Sequence, residues 1–168
     1  MYADRDRVQL DAEGSIQYGM YYWDDNYPDS HVFAEGECLR KTFDPDFMLY
    51  HTMAVDEWGH MKGADSAEYA NAVAAVGHLI AARMPEWLEK GYQVVVTADH
   101  GMNNLGIHVG TEQAQREVAL YIFSDKVENG RFEENYISQL NVAPLVCKLM
   151  GVPATEGMKQ ELEIVFSK

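Results

Sequence analysis

The chain has 168 residues, of which 47% are hydrophobic, so it is large enough to bury the core of one ordinary domain and is too apolar for a disordered polypeptide. Its formal net charge of -14 argues against nucleic acid or an anionic membrane as a partner, because both bind basic surfaces. The two cysteines, Cys38 and Cys147, are too few for a disulfide framework or a thiolate zinc site.

Membrane insertion and secretion have no visible signal in the sequence. The longest apolar stretch falls short of the roughly 18 residues of a membrane-spanning helix. The chain opens without a basic, apolar leader. The compartment is therefore open, with a preference for the cytoplasm.

The first segment, from Met1 to about Lys41, differs in character from the rest of the chain. It is crowded with aromatic and acidic residues and shows no sustained helical or strand period. We expect residues 1–41 to form an irregular cap or the remainder of an upstream region, and a separate unit to cover residues 42–168.

From Phe43 onward the pattern becomes that of an α/β protein. Short apolar runs predict strands over residues 47–52, 92–97 and 118–123. An amphipathic helix is predicted to begin at Asp65 or Ser66, to be interrupted at Pro85 and to stop by Gly91, and another helix is predicted over residues 137–150. This order of buried runs predicts a mainly parallel sheet flanked by helices.

Side chains that bind metals are concentrated in three short segments. Asp56 and His60 belong to the first segment, Asp99 and His100 follow the valine-rich run, and His108 lies in the next loop. Open α/β sheets place ligands beyond the carboxyl ends of their strands, which is where these segments are predicted to lie. Zinc accepts carboxylate oxygen and neutral imidazole nitrogen, and a catalytic site keeps one position open. Asp56, His60 and His108 would form such a three-ligand set.

Each of these motifs also has an ordinary structural explanation when it is taken alone. An aspartate near a helix start is usually a cap, and a single histidine is usually a surface or core residue. The adjacent pair Asp99 and His100 can turn toward one site or toward two neighbouring metals. Trp58, between two candidate ligands, either lines a substrate pocket or covers the metal site. The joint order of the three segments is much harder to obtain by chance.

The motifs, in this order, resemble the nucleotide pyrophosphatase/phosphodiesterase branch of the alkaline phosphatase superfamily. The matching elements are Asp56-x-x-Gly-His60, Thr97-Ala-Asp-His-Gly-Met102 and Gly106-x-His108, and the similarity extends over about Phe43 to Pro153. The resemblance implies that residues 42–168 are the C-terminal, metal-binding half of an alkaline-phosphatase-like domain. It also implies a site for two divalent metal ions, usually zinc.

The resemblance assigns each candidate ligand to one of the two metals. By motif position, Asp56, His60 and His108 are expected to hold the first metal, and Asp99 and His100 the second. In the family, the second metal also needs an upstream aspartate and a Thr or Ser nucleophile. Nothing in the first segment resembles these elements, so the catalytic nucleophile is unknown. We expect the chain alone to be inactive and to bind one metal better than two.

The function implied by the resemblance is two-metal-dependent hydrolysis of phosphate esters by the complete protein. The expected substrates are small molecules with phosphodiester or nucleotide pyrophosphate bonds. Other members of the superfamily are alternatives: a cofactor-independent phosphoglycerate mutase, a phosphonoacetate-type hydrolase or a sulfatase. The short spacing between Asp99 and His108 favours the phosphodiesterase-like branch. A non-catalytic metal-binding half-domain is an alternative from a different class, supported by the missing nucleophile.

A half-domain also has a structural consequence. A sheet that is cut midway exposes a strand edge and an apolar face, both of which favour association between chains. We therefore expect either a homo-oligomer that forms through the exposed sheet edge or coverage of that edge by residues 1–41.

Overall fold

The computed structural model describes residues 8–10, 13–22, 24–130, 136–158, 162 and 164–167. The chain divides into two compact units, the first formed by Met1–Met84 with Asp99–Val118 and the second by Pro85–Ala98 with Ala119–Lys168. The boundary predicted after residue 41 remains a prediction. None of the helices in the described ranges combines the length and the apolar character needed to cross a bilayer.

The first unit contains a strand pair and most of the helical residues. Its elements are β1 (Val8–Leu10), β2 (Tyr18–Met20), α1 (Asp29–Phe43), α2 (Ala54–Lys62), α3 (Ala67–Ala81) and the short α5 (Gln113–Arg116). The two strands run antiparallel, with Val8 opposite Met20. Helices α2 and α3 pack against each other.

Helix α1 overturns part of the prediction of an irregular first segment. It spans Asp29–Phe43 and ends where Asp44, with φ +45°, donates its N–H to the carbonyl of Arg40 at 3.0 Å. The helix was not recognised from the sequence because its apolar residues are few among charged and polar ones. Its fully buried apolar side chain is Phe33, and Arg40 is buried through an ion pair with Glu37 at 2.8 Å.

The helix predicted to begin at Ser66 is confirmed as α3. The Ser66 hydroxyl accepts the N–H of Tyr69 at 3.1 Å and so caps the first turn. Helix α4 (Met84–Glu89) follows, with the predicted interrupting proline in its first turn, and the chain turns at Gly91 with φ +87°.

The second unit contains the other strand pair and the last helix. It holds β3 (Val94–Val96), β4 (Tyr121–Phe123), a 3₁₀ turn (Gln139–Asn141) and α6 (Val142–Met150). The helix predicted over residues 137–150 is thus confirmed, with a 3₁₀ first turn. The core of this unit is formed by three buried side chains, those of Leu145, Leu149 and Ile164. Partly buried residues pack on them: Val95, Ile122, Val127, Ile137, Leu162 and Phe166.

The α/β class agrees with the prediction, but the mainly parallel sheet does not. Strand β3 pairs antiparallel with β4, with Val94 opposite Phe123, and both sheets in the described residues have two antiparallel strands. The connection between β3 and β4 is long enough for a parallel crossover, but its helix is the four-residue α5, whereas parallel strands are usually joined by a longer helix. Residues 47–52 are not a strand, because an apolar run forms one only where a neighbouring strand accepts its hydrogen bonds.

Candidate metal centre

Two of the predicted ligands lie one turn apart on helix α2. Residues four positions apart share a helix face, so Asp56 and His60 point in the same direction. The Nε2 atom of His60 is 3.4 Å from Oδ2 of Asp56. The helix ends at Gly63, whose φ of +80° turns the chain away toward α3.

The loop that follows Asp99 is held in shape by the buried amide of Asn103. Its Oδ1 accepts the N–H groups of Leu105 at 3.0 Å and Ile107 at 2.9 Å, and its Nδ2 donates to Glu112 at 3.1 Å. Gly106, with φ +73°, lies against the backbone of α2, and a Cβ there would be 2.7 Å from the carbonyl oxygen of His60. The loop is thereby fixed against the helix that carries the first two ligands.

Three imidazoles surround the carboxylate of Asp56. Besides His60, the Nε2 atoms of His100 and His108 lie 3.7 Å and 4.0 Å from its Oδ1. The rings of His100 and His108 are stacked, with centroids 3.7 Å apart. Asp56, His60 and His108 each offer a ligand atom, and these atoms all lie within 4.8 Å of one another.

In two of these rings the second nitrogen, Nδ1, forms a hydrogen bond with a backbone carbonyl group. Nδ1 of His60 is 2.8 Å from the carbonyl oxygen of Gly106, and Nδ1 of His100 is 3.0 Å from that of Gly101. A carbonyl oxygen only accepts, so in each neutral ring Nδ1 carries the hydrogen and Nε2 presents its lone pair toward Asp56. Histidines that bind metals are oriented by this kind of bond.

The donor set fits a divalent cation. Oδ1 of Asp56 is buried and has no hydrogen-bond partner among the described residues. Its separations from the Nε2 atoms of His100 and His108 are too long for hydrogen bonds. The Nε2 lone pair of His100 faces the carboxylate, so these two acceptors repel. A zinc ion binds carboxylate and imidazole at about 2.0–2.2 Å, which suits atoms spaced in this way.

Asp99 lies on the outer side of the same group. Its Oδ2 is 3.6 Å from Nε2 of His100, and 67% of its side chain is exposed. Its Oδ1 accepts the N–H of His100 at 3.1 Å. The first unit therefore gathers all five residues predicted from the sequence, and the assignment of each to a metal remains a prediction.

Two tyrosines near the candidate ligands were not singled out from the sequence. Burial, followed by the carboxylate of Asp29 and those of other aspartates that include Asp99 and Asp56, raises the pKa of Tyr22. Burial and the Asp56 carboxylate raise the pKa of Tyr69. The Tyr22 hydroxyl is 2.6 Å from Nδ1 of His51. Tyr22 lies in the aperiodic first segment and gave no periodic signal, whereas Tyr69 was identified only as a residue of the amphipathic helix that follows Ser66.

Trp58 lines a groove between helices α1, α2 and α3. Together with Ala54, Ala72 and Leu79 it borders a cavity of about 700 Å³. Neither Asp56 nor His60 is among the residues that line this cavity. Both roles predicted for Trp58, lining a substrate pocket and covering the metal site, remain predictions.

The amino-acid sequence is similar to one protein family and to several known proteins. Residues 13–144 match the family model described as type I phosphodiesterase / nucleotide pyrophosphatase. The chain is 27% identical over 157 residues to GPI ethanolamine phosphate transferase 3, catalytic subunit, of Mus musculus. The aligned region covers 89% of the chain and 14% of that relative. The human protein of the same name is 29% identical over 115 residues (67% of the chain, 10% of the relative).

A third relative and the solved structures complete the comparison. GPI ethanolamine phosphate transferase 2 of Schizosaccharomyces pombe is 24% identical over 132 residues, or 67% of the chain and 17% of the relative. The chain thus spans between 10% and 17% of the length of these three relatives. No solved structure matches the chain.

Proposed function

The chain belongs to the type I phosphodiesterase/nucleotide pyrophosphatase family of the alkaline phosphatase superfamily, and from that premise we propose that the complete protein cleaves phosphate esters at a divalent-metal centre. The proposal rests on one observation: the buried Oδ1 of Asp56, which has no hydrogen-bond partner among the described residues, lies 3.7 Å and 4.0 Å from the Nε2 atoms of His100 and His108. A cation satisfies all of these acceptors together. The residues of this chain that would contribute are Asp56, His60, Asp99, His100 and His108.

The proposed centre holds two divalent ions, zinc being the first choice for this donor set. Asp56, His60 and His108 would hold one ion, and Asp99 and His100 would contribute to the other. When bound, such ions supply Lewis acidity toward phosphoryl oxygens and toward the attacking oxygen.

The protein's own contribution is to fix the ligands before substrate arrives. The carbonyl groups of Gly106 and Gly101 hold the rings of His60 and His100 in one tautomer and one orientation. Tyr22 and Tyr69 are neutral near pH 7, as any tyrosine of ordinary pKa is, and burial raises the pKa of each further.

Hydrolysis and transfer are two versions of the same bond cleavage. In both, the ester P–O bond breaks and the phosphorus atom gains a new oxygen substituent, from water in hydrolysis or from an alcohol in transfer. Hydrolysis is the version first predicted from the sequence. Transfer is the second candidate, and it is favoured because the relatives are named GPI ethanolamine phosphate transferases. An ethanolamine phosphate ester is therefore the first natural substrate to test.

The test combines metal analysis of the chain with an assay of the full-length gene product. We expect zinc to bind the chain and Asp56→Asn to weaken binding by about a hundredfold, because the substitution removes a carboxylate ligand. We expect the full-length protein to release nitrophenol from bis(4-nitrophenyl) phosphate only when metal is present. ³¹P NMR of the products, with and without an added alcohol, separates hydrolysis from transfer. Cleavage that survives both chelation and Asp56→Asn would overturn the proposal.

A further inference from the structure

Helix α2, which carries Asp56 and His60, begins without a capping side chain of its own. The N-cap residue is Met53, and it makes no side-chain hydrogen bond to the helix. The N–H groups at a helix start have no partner within the helix and need an acceptor from elsewhere. In the structure that acceptor is Asp29, whose Oδ1 accepts the N–H of Met53 at 3.2 Å and of Ala54 at 3.3 Å.

Asp29 reaches α2 from another helix. It is the first residue of α1, it lies 24 and 25 positions from its two donors, and only 8% of it is exposed. The N-cap of α1, Pro28, also lacks a capping side chain. One buried carboxylate therefore lies at the N-terminal ends of two helices, where the helix dipoles favour negative charge.

The first turn of α2 is the part of the helix that the candidate centre depends on most. Asp56 is the third residue of α2 and lies in that turn, whose first helical bond runs from the N–H of Glu57 to the carbonyl of Met53 at 2.9 Å. Helix ends that lack caps fray. Fraying here would displace the Asp56 carboxylate from the imidazoles of His100 and His108, which lie outside the first turn of α2.

We propose that Asp29 is a positioning residue of the metal centre, because it holds the first turn of α2 and thereby directs Asp56 toward the loop histidines. The inference rests on the proposed function, since it concerns the same centre. It assigns a role in metal binding to a residue that lies outside the ligand set.

The test measures binding of Co²⁺ to the chain by chelator competition and by its visible absorption spectrum. We expect Asp29→Ala to lower the affinity about tenfold and to alter the spectrum. Asp29→Asn keeps an acceptor oxygen but loses the charge, so we expect it to lower the affinity only about twofold to fivefold. Asp46→Ala, at an exposed aspartate, is the matched control and should match the wild type.

A double variant separates positioning from general stability. Met53→Ser supplies α2 with a local cap, so in the Asp29→Ala background it should restore both affinity and spectrum. An Asp29→Ala protein that melts earlier, yet binds Co²⁺ below its melting temperature like the wild type, would show a purely structural role and overturn the inference. If Asp29→Ala does not fold, wild-type affinity in Asp29→Asn overturns it instead. Failure of the wild-type chain to bind Co²⁺ would refute the proposed metal centre.

Discussion

Asp56 is the residue on which the candidate centre depends most. Its carboxylate faces three imidazoles at 3.4–4.0 Å, a spacing that suits ligands that share a cation, and the two longer separations exceed hydrogen-bond length. The backbone carbonyls that hold His60 and His100 also remove the freedom of these rings to rotate away. We expect a bound cation to offset the repulsion between the acceptors that are gathered here.

At the residue scale, the first prediction concerns the third ligand. His108→Ala should reduce zinc affinity at least tenfold, because it removes one of the three atoms that lie within 4.8 Å of one another. Zinc titration by calorimetry measures the effect. His78→Ala is the control, since His78 is exposed on α3 outside the candidate ligand set. Equal losses in the two variants would contradict the assignment.

The pH dependence of stability gives a second prediction at this scale. Burial raises the pKa of Tyr50 above its ordinary value, and the Glu37 carboxylate, which accepts a hydrogen bond from the phenol at 3.1 Å, raises it further. An unfolded tyrosine ionises near pH 10, so the folded state holds this proton more tightly than the unfolded state does. The stabilisation is fully present below about pH 10 and is lost as the pH rises through the folded pKa.

Tyr50→Phe should therefore flatten the fall in unfolding free energy above about pH 10. Urea unfolding at several pH values between about 9 and 11 measures the slope. Tyr136→Phe, at a tyrosine that is 73% exposed, should leave the slope unchanged. A slope that is the same in Tyr50→Phe and the wild type would contradict the prediction.

At the element scale, the close approach of the loop to α2 at Gly106 decides where His108 lies. The position has φ +73°, and a Cβ there would be 2.7 Å from the carbonyl oxygen of His60 and 2.9 Å from that of Gly59. Both oxygens belong to helix backbone, which cannot move aside without disturbing α2. The loop can therefore lie against the helix only where the residue has no side chain.

Gly106→Ala should destabilise the protein by about 2 kcal/mol or more and weaken zinc binding, because left-handed backbone strain adds to the backbone clash. Thermal unfolding and zinc titration measure the two effects. Gly151→Ala is a matched control, since Gly151 has φ +74° but nothing within 4 Å of its would-be Cβ. We expect the control to lose only about 1–2 kcal/mol and to bind zinc normally. Normal zinc binding by Gly106→Ala would contradict the role given to this contact.

At the scale of the whole molecule, apolar surface is exposed in each of the two units. In the first unit, α3 is rich in apolar residues, yet its buried residue is Ala72, and Val73 is 48% exposed. In the second unit, β3 and β4 form a two-stranded sheet, and Tyr121 and Phe123 of β4 are 58% and 41% exposed. Apolar faces and strand edges of this kind favour association.

We predict that the chain self-associates through the β3–β4 sheet as its concentration rises. Tyr121→Lys should shift the equilibrium toward monomer, because a lysine on an edge strand opposes pairing with another strand. Sedimentation velocity over a range of concentrations measures this. Leu49→Lys, at a leucine that is 78% exposed in the first unit, should have no effect. A monomer at every concentration would refute the prediction.

Features that depend on residues close together in the chain could be predicted from the sequence. Ser66 marks the start of α3 because an N-cap acts within three residues, and the aspartate-histidine motifs identified the candidate ligands by residue type and order. Tertiary structure decided what depends on residues far apart in the chain. Strand direction was set by the pairing of Val94 with Phe123, and the start of α2 is capped by Asp29 from 24 positions away. Such pairings carry no local signal, because their free energy comes from hydrogen bonds and burial that exist only after the chain has folded.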